Sequence, residues 1–362
     1  MPNANLQGSI VILTLYDVAD EIRLSELPPL IGGTRLLPTF KHLAPEHVRF
    51  ERPPVIEPLA PLYLATGERF EATIQYYDYG VVSVLLRFAF SGSWDQLKQL
   101  SSSWTSGTVF DDLCRNTIRE KLKRISAALL KPYGNWLSED YYIIHLDSVP
   151  ETTSGTALLQ ERGREISQIV QGESTPLADQ ERTEVLQGSM SYYPNDLIVA
   201  GWNAAFLFDT PAGAEPTILL LEYANSQLLQ FRHYDDMLTR ELERVYDFVE
   251  TRKGLLYGWR MRSAAAGLRT MLLDVTELTE RTSNALKFVG DMFSARVYKL
   301  CASKIGVTDY QVLVQEKLRT ADELYDFMIE EFHQARGFLL EIIVVLILMI
   351  ELFFLFRGKP GV

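Results

Sequence analysis

From Phe338 to Phe356 every residue is apolar except Glu341 and Glu351, and this run constrains the chain more than any other stretch. As a helix it rises about 28 Å, enough to cross a hydrocarbon core of about 30 Å. Arg357 and Lys359 close it on one side, and His333 and Arg336 on the other, as cations at the two interfaces should. The competing reading is a buried core helix, but core helices of this length carry a polar face. The run predicts one transmembrane helix over 337–357, followed by a short tail at 358–362.

The two carboxylates inside the run need a reason. An ionised carboxylate near mid-bilayer costs roughly 2.5–3.5 kcal/mol on insertion scales. Glu341 lies close to Arg336 and the interface. Glu351 sits about 9 Å inside the Arg357 boundary on helical rise, so it should be protonated, paired or turned toward other protein. Both side chains snorkel to the interface, or they hydrogen-bond across neighbouring spans and help fix an oligomer.

The composition is 47% hydrophobic, in the globular range, and the formal net charge is −12. An acidic balance argues against broad nucleic-acid binding, which needs a basic surface. Cys114 and Cys301 are the only cysteines, and the histidines (His42, His47, His145, His233, His333) are scattered, so neither a disulfide framework nor a zinc cluster is expected. Met1–Leu6 resembles neither a secretory signal nor a transit peptide. The expectation is a single-pass, C-terminally anchored membrane protein whose soluble domain stays in the cytoplasm.

Along the chain, Ser9–Tyr16 reads as a buried strand and Asp17–Leu27 as a helix. Residues 28–64 hold Pro28, Pro29, Pro38, Pro45, Pro53, Pro54, Pro58 and Pro61, which predicts an extended connection, packed on the domain or flexible. Glu68–Tyr77 and Val81–Phe90 flank Asp78-Tyr79-Gly80 and predict a hairpin. Trp94–Trp104 and Val109–Lys131 read as helices. The second bears Arg115, Arg119, Lys121, Lys123 and Arg124, a solvated face or a contact surface for anionic lipid or RNA. Tyr141–Val149 reads as a strand, 151–191 as helix plus loop, and Asp196–Asp209 and Thr217–Glu222 as two strands joined by a turn. The fold class expected over 1–222 is an α+β (or α/β) sandwich.

Beyond Glu222 the pattern turns helical, predicting a stalk over 223–336. Val275, Leu278, Thr282, Ala285, Val289 and Met292 keep three–four spacing, and a basic patch lies at Arg260, Arg262 and Arg269. Thr308 and Gln311 match a capping box. Ala321, Tyr325, Met328, Phe332, Ala335 and Leu339 then form a heptad seam running into the apolar segment. The last two long, coiled-coil-like helices are expected as an antiparallel hairpin or as the stalk of a homo-oligomer.

No phosphate-binding loop, dinucleotide fingerprint, nucleophile elbow or zinc spacing occurs, so the chain is not expected to be an enzyme, nor to carry a cofactor or metal. The nearest approach to a site is His233 with Asp235 on a helix; Glu222 and Trp202-Asn203 lie near expected strand ends.

Leu340–Glu351, read as Leu-Glu-Ile-Ile-Val-Val-Leu-Ile-Leu-Met-Ile-Glu, resembles the closing signature of a membrane-anchored family. That family is typified by the yeast "required for meiotic nuclear division" protein, its mitochondrial relatives and bacterial YagE-like proteins. Lys317-Leu318 with Leu324-Tyr325, Gly290-Asp291 with Ala295-Arg296-Val297-Tyr298, and Tyr79-Gly80-Val81-Val82 are similar to further elements of it. The resemblance implies one C-terminal span on an α/β domain. Mitochondrial members support translation at the inner membrane as oligomeric scaffolds, and the family supplies no catalytic residues. The leading expectation is therefore a tail-anchored scaffold that recruits an unidentified protein partner and self-associates through its C-terminal helices. A CorA-type ion transport component is the runner-up, although such channels have two spans and a Gly-Met-Asn loop. An enzyme with an unrecognised site near His233 is the third.

Overall fold

The computed structural model describes residues 5–28, 34–35, 48–50, 52–105, 107, 109–150, 152, 154–250, 257–284, 286–288 and 292–357. At 34–35, 48–50, 248–250, 257–263, 278, 281–284, 286–288, 335 and 339 it describes the backbone alone. The elements in order are β1 (Leu6–Ile22), β2 (Thr34–Arg35), β3 (Val48–Phe50), β4 (Val55–Pro58), β5 (Leu62–Tyr63), β6 (Arg69–Tyr76) and β7 (Val81–Gly92). Then come α1 (Trp94–Thr105), α2 (Val109–Arg124), β8 (Leu129–Ser148), α3 (Gly155–Gln171), α4 (Asp179–Gln187), β9 (Ser189–Met190), β10 (Leu197–Ala200) and β11 (Ala204–Phe208). The chain closes with α5 (Pro211–Glu250), α6 (Tyr257–Asn284), β12 (Leu286–Phe288), α7 (Met292–Ile305) and α8 (Val307–Arg357).

The described residues form two compact units, Met1–His233 with Thr279–Gln311, and Tyr234–Leu278 with Val312–Val362. The boundary expected after Glu222 thus falls inside α5. In the first unit a sheet runs in the order β2-β4-β6-β7-β1-β8-β11-β10-β9, with β5 pairing β6. Every pairing in it is antiparallel except β8 with β11. The β6–β7 hairpin forms as expected, with Gly80 at φ +87°; a side chain there would collide with the carbonyl of Ala19.

Strand alternation sorts the two faces. Ile10, Ile12 and Tyr16 of β1 share a core with Ile144 and Leu146 of β8 and with Phe110, Cys114 and Ile118 of α2. The opposite face carries Asp17, Gln75 and Tyr79, which hydrogen-bond to Gln230, Glu222 and Ser226 of α5. Both faces are therefore covered, and β1 reads as a continuous apolar run because of it.

The structure departs from the sequence reading at four elements. Asp17–Leu27 is not a helix: β1 continues to Ile22, paired with β8. Thr217–Glu222 is not a strand but the second turn of α5 onward, and Leu220 to Phe231 is buried without interruption. A helix sunk this deeply has no solvent-facing stripe, and its short apolar run Ile218-Leu219-Leu220-Leu221 mimics a strand. The helix expected through Val275–Met292 is split, since β12 pairs with β3 between α6 and α7. The basic helix is shorter than expected and ends at Arg124, before β8.

In the second unit Leu242 and Val245 of α5, Ala265 and Leu268 of α6, and Ala321 and Met328 of α8 form one core, with Tyr325 and Phe332 packed against it. The seam is thus filled by three helices instead of the expected pair. Lys317 ties α8 to Asp235 at 2.5 Å, and Arg269 donates to the Tyr325 hydroxyl at 3.1 Å. The seam positions Ala335 and Leu339, with Arg260, Arg262 and Lys359, lie outside the residues whose side chains are described.

Candidate membrane anchor and cavities

The distal half of α8 presents its apolar side chains outward. Phe338, Leu346, Leu352 and Phe356 are 55–76% exposed, and none of the apolar window is buried. The chain therefore has a C-terminal helix long and apolar enough to cross a membrane. Arg357 folds back over the Phe353 ring at 5.7 Å. Glu341, Glu351 and Arg336 are all exposed on the same helix.

The cations of α2 are largely committed within their own unit. Arg115 pairs with Asp111 at 3.1 Å and lies over the Tyr16 ring. Lys121 reaches the buried Glu57 at 2.6 Å, which also accepts from the Tyr76 hydroxyl. Arg119 covers the Trp136 ring. Arg119, Lys123 and Arg124 are exposed.

His233 and Asp235 take different partners. His233 Nδ1 lies 2.8 Å from Asp17 Oδ2, with its ring stacked on Tyr133 at 4.8 Å, whereas Asp235 belongs to Lys317. Asp17 accepts from Gln230 at 2.8 Å, and burial raises its carboxyl above the ordinary range. Glu222 stands about 16 Å earlier along α5, where Gln75 Nε2 donates to its Oε2 at 2.7 Å. Burial pushes its carboxyl up to about 7, while Ser83 and Gln75 favour the charged form. These groups form a polar row that ties α5 to the sheet rather than one site. Among the described residues no group of three His, Cys, Asp or Glu could hold a metal.

The cavity that sequence reading missed lies where β11 hands over to α5. It encloses about 400 Å³ among Tyr192, Tyr193, Leu207, Asp209, Phe293 and Val297, with further apolar wall from β10 and α5. Asp209 Oδ1 accepts the Thr210 N–H at 2.6 Å. The Thr210 hydroxyl accepts from Gly213 N at 3.1 Å, capping α5 with Pro211 behind it. A Cβ at Gly213 would collide with the Asp209 carboxylate. His145, buried, holds the Asp209 carbonyl through Nε2 at 2.9 Å. Thr210-Pro211, read from the sequence as part of a turn between strands, starts α5 instead, and the cavity also needs Phe293 of α7, which the sequence does not place beside it. A wider cleft of about 690 Å³ between β6, β7 and α5 is lined by Arg69, Arg87, Glu71, Glu215 and Glu222, with Arg87 and Glu215 paired at 2.7 Å.

Comparison with known proteins bears on the sheet unit. Residues 7–215 match the family described as the N-terminal domain of the uncharacterised protein MJ0711. The uncharacterised protein MJ0711 of Methanocaldococcus jannaschii is 19% identical over 235 residues, covering 65% of this chain and 71% of its own. No solved structure matches. The matched segment runs from the second residue of β1 to the first turns of α5 and takes in more than half of the sequence, so the chain belongs to the family of the MJ0711 N-terminal domain.

Proposed function

We propose that this protein is a membrane-anchored scaffold: α8 inserts in a bilayer and holds the sheet unit at its cytoplasmic face, where that unit recruits a protein partner. The observation that carries this reading is the exposure of every large apolar side chain described from Phe338 to Phe356. Water around so long an apolar surface is strongly unfavourable, at about 25 cal/mol per Å², and lipid removes that cost. The resemblance of Leu340–Glu351 to the closing signature of the meiotic-nuclear-division and YagE-like family supports the same layout, and lies outside the matched residues 7–215.

Self-association belongs to the same proposal, but its location shifts. Ala321 and Met328 are already buried within the chain, so the seam over 321–332 is spent. Glu341 and Glu351 remain as groups that gain by hydrogen-bonding across spans in lipid. Alkaline carbonate washing of membranes should leave the full chain in the pellet, and release of the intact chain would sink the anchor. Cross-linking in mild detergent should give a homo-oligomer that Glu351→Leu weakens; an unchanged ladder would remove Glu351 from the contact.

A further inference from the structure

The cavity at the start of α5 supports an inference beyond anchoring. Its charged lining residues are Asp196 and Asp209, with no Lys, Arg or His among the described residues of the lining. Asp196 is already engaged, accepting the Tyr192 and Tyr193 N–H groups at 2.7 and 2.9 Å. That pair of bonds fixes the segment bearing two rings of the wall. Tyr192 packs edge-on to Tyr193 at 4.7 Å and against Phe293 at 4.7 Å. Asp209 uses Oδ1 on Thr210, and its Oδ2 accepts no hydrogen bond among the described residues.

We propose that this cavity binds an organic ammonium ion, a substituted amine or quaternary ammonium group, between the rings of Tyr192, Tyr193 and Phe293 and the carboxylate of Asp209. Aromatic faces attract such cations, and more strongly once water is excluded. A neutral apolar guest would bury Asp209 further with no compensation. An anion would meet two carboxylates. A small inorganic cation would keep its hydration shell and gain little from the rings. The positive end of α5 acts first on Asp209, which precedes it, and favours the ionised carboxylate. Burial opposes this and raises the Asp209 carboxyl above its ordinary range, so a bound cation relieves an existing cost.

The same group occurs free in solution and on choline-bearing lipid headgroups, so the test has two arms. Calorimetric titration of the full chain in a nonionic detergent uses choline chloride in one and phosphocholine in the other. Choline should bind, and Asp209→Asn should weaken it about tenfold, or about 1.4 kcal/mol. Asn at this position still accepts the Thr210 N–H, so the α5 start should survive. Phe293→Leu, which removes a ring and no charge, should weaken binding too, and it serves if the Asn variant fails to fold. Equal binding of phosphocholine assigns the site to a headgroup; its exclusion assigns it to a free ammonium ion. Absence of choline binding, or binding unchanged in both variants, overturns the proposal.

Discussion

Two stretches of the long helices have opposite surroundings. Leu220 to Phe231 of α5 is buried throughout, while every large apolar side chain described from Phe338 to Phe356 of α8 is exposed. Hydropathy separates them, since among the described residues only the α8 run is apolar enough to cross a membrane, and the surroundings of their polar residues separate them further. In α5, Glu222, Ser226 and Gln230 each meet a partner on the sheet or its neighbouring turn. Such complementarity costs nothing only where protein is present to supply it. In α8 the interruptions are Glu341 and Glu351, both exposed on a helix otherwise uniformly apolar. An apolar helix whose polar residues have addresses is a core element. The exposed one has the length and apolar character to cross a membrane.

The largest test removes one side of this contrast. Deleting 337–362 should convert a carbonate-resistant membrane protein to a soluble one, with the thermal transition of the sheet unit retained. A truncated chain that stays in the membrane pellet, or that loses its near-UV circular dichroism, would show that the two stretches are not independent in kind. A matched pair of charges sharpens the point. Ala224 is fully buried, so Ala224→Asp places an unpaired carboxylate in protein and should cost roughly 3–5 kcal/mol or prevent folding. Leu346→Asp should leave the melting of the sheet unit unchanged and weaken insertion by about 3 kcal/mol, read by partitioning into vesicles.

That contrast was only half legible in the sequence. The α8 run announces itself because nothing polar interrupts its length beyond two residues. The first half of α5 does not: Ile218-Leu219-Leu220-Leu221 follows Pro216 and reads as a strand after a turn, since burial on all sides leaves no solvent-facing stripe. The β6–β7 hairpin was legible because Gly80 must adopt a positive φ. The extension of β1 to Ile22 was not, because Val18 and Ile22 fit helical spacing and only the pairing with β8 decides otherwise. The seam of Ala321, Tyr325, Met328 and Phe332 was found by period, but period cannot say that α5 and α6 fill it. The cavity was hidden because Tyr192, Asp209 and Phe293 come from three separate segments.

Glu222 allows the cost of a buried address to be measured. Its carboxyl is fully buried and raised from 4.5 to about 7, so the folded state holds its proton where the unfolded state has released it. Its stabilising contribution is complete below about pH 4.5 and is lost as pH rises through 7, a change of roughly 3 kcal/mol in total. Glu222→Gln should therefore reduce the pH dependence of urea midpoints across that window. Asp17, raised in the same direction, keeps part of the slope. A variant with the wild-type profile would mean that Glu222 is charged in place and that the row is stronger than a set of neutral hydrogen bonds.

The smallest effect tests whether every polar residue of α5 has such an address. Asn225 Nδ2 donates only to the Leu221 carbonyl of its own helix at 2.8 Å, and its Oδ1 has no partner. Replacing a polar side chain of this kind by an apolar one of similar volume orphans nothing, because the Leu221 carbonyl keeps its place in the helical ladder. Asn225→Leu should change stability by less than about 1 kcal/mol, with gain as the expected sign. Gln230→Leu is the control in the same row, since it strips a donor from the buried Asp17 and should lose roughly 1–3 kcal/mol. If the two variants lost stability equally, partner geometry would not be what distinguishes the buried helix from the exposed one, and the polar residues of α5 would act through shape alone.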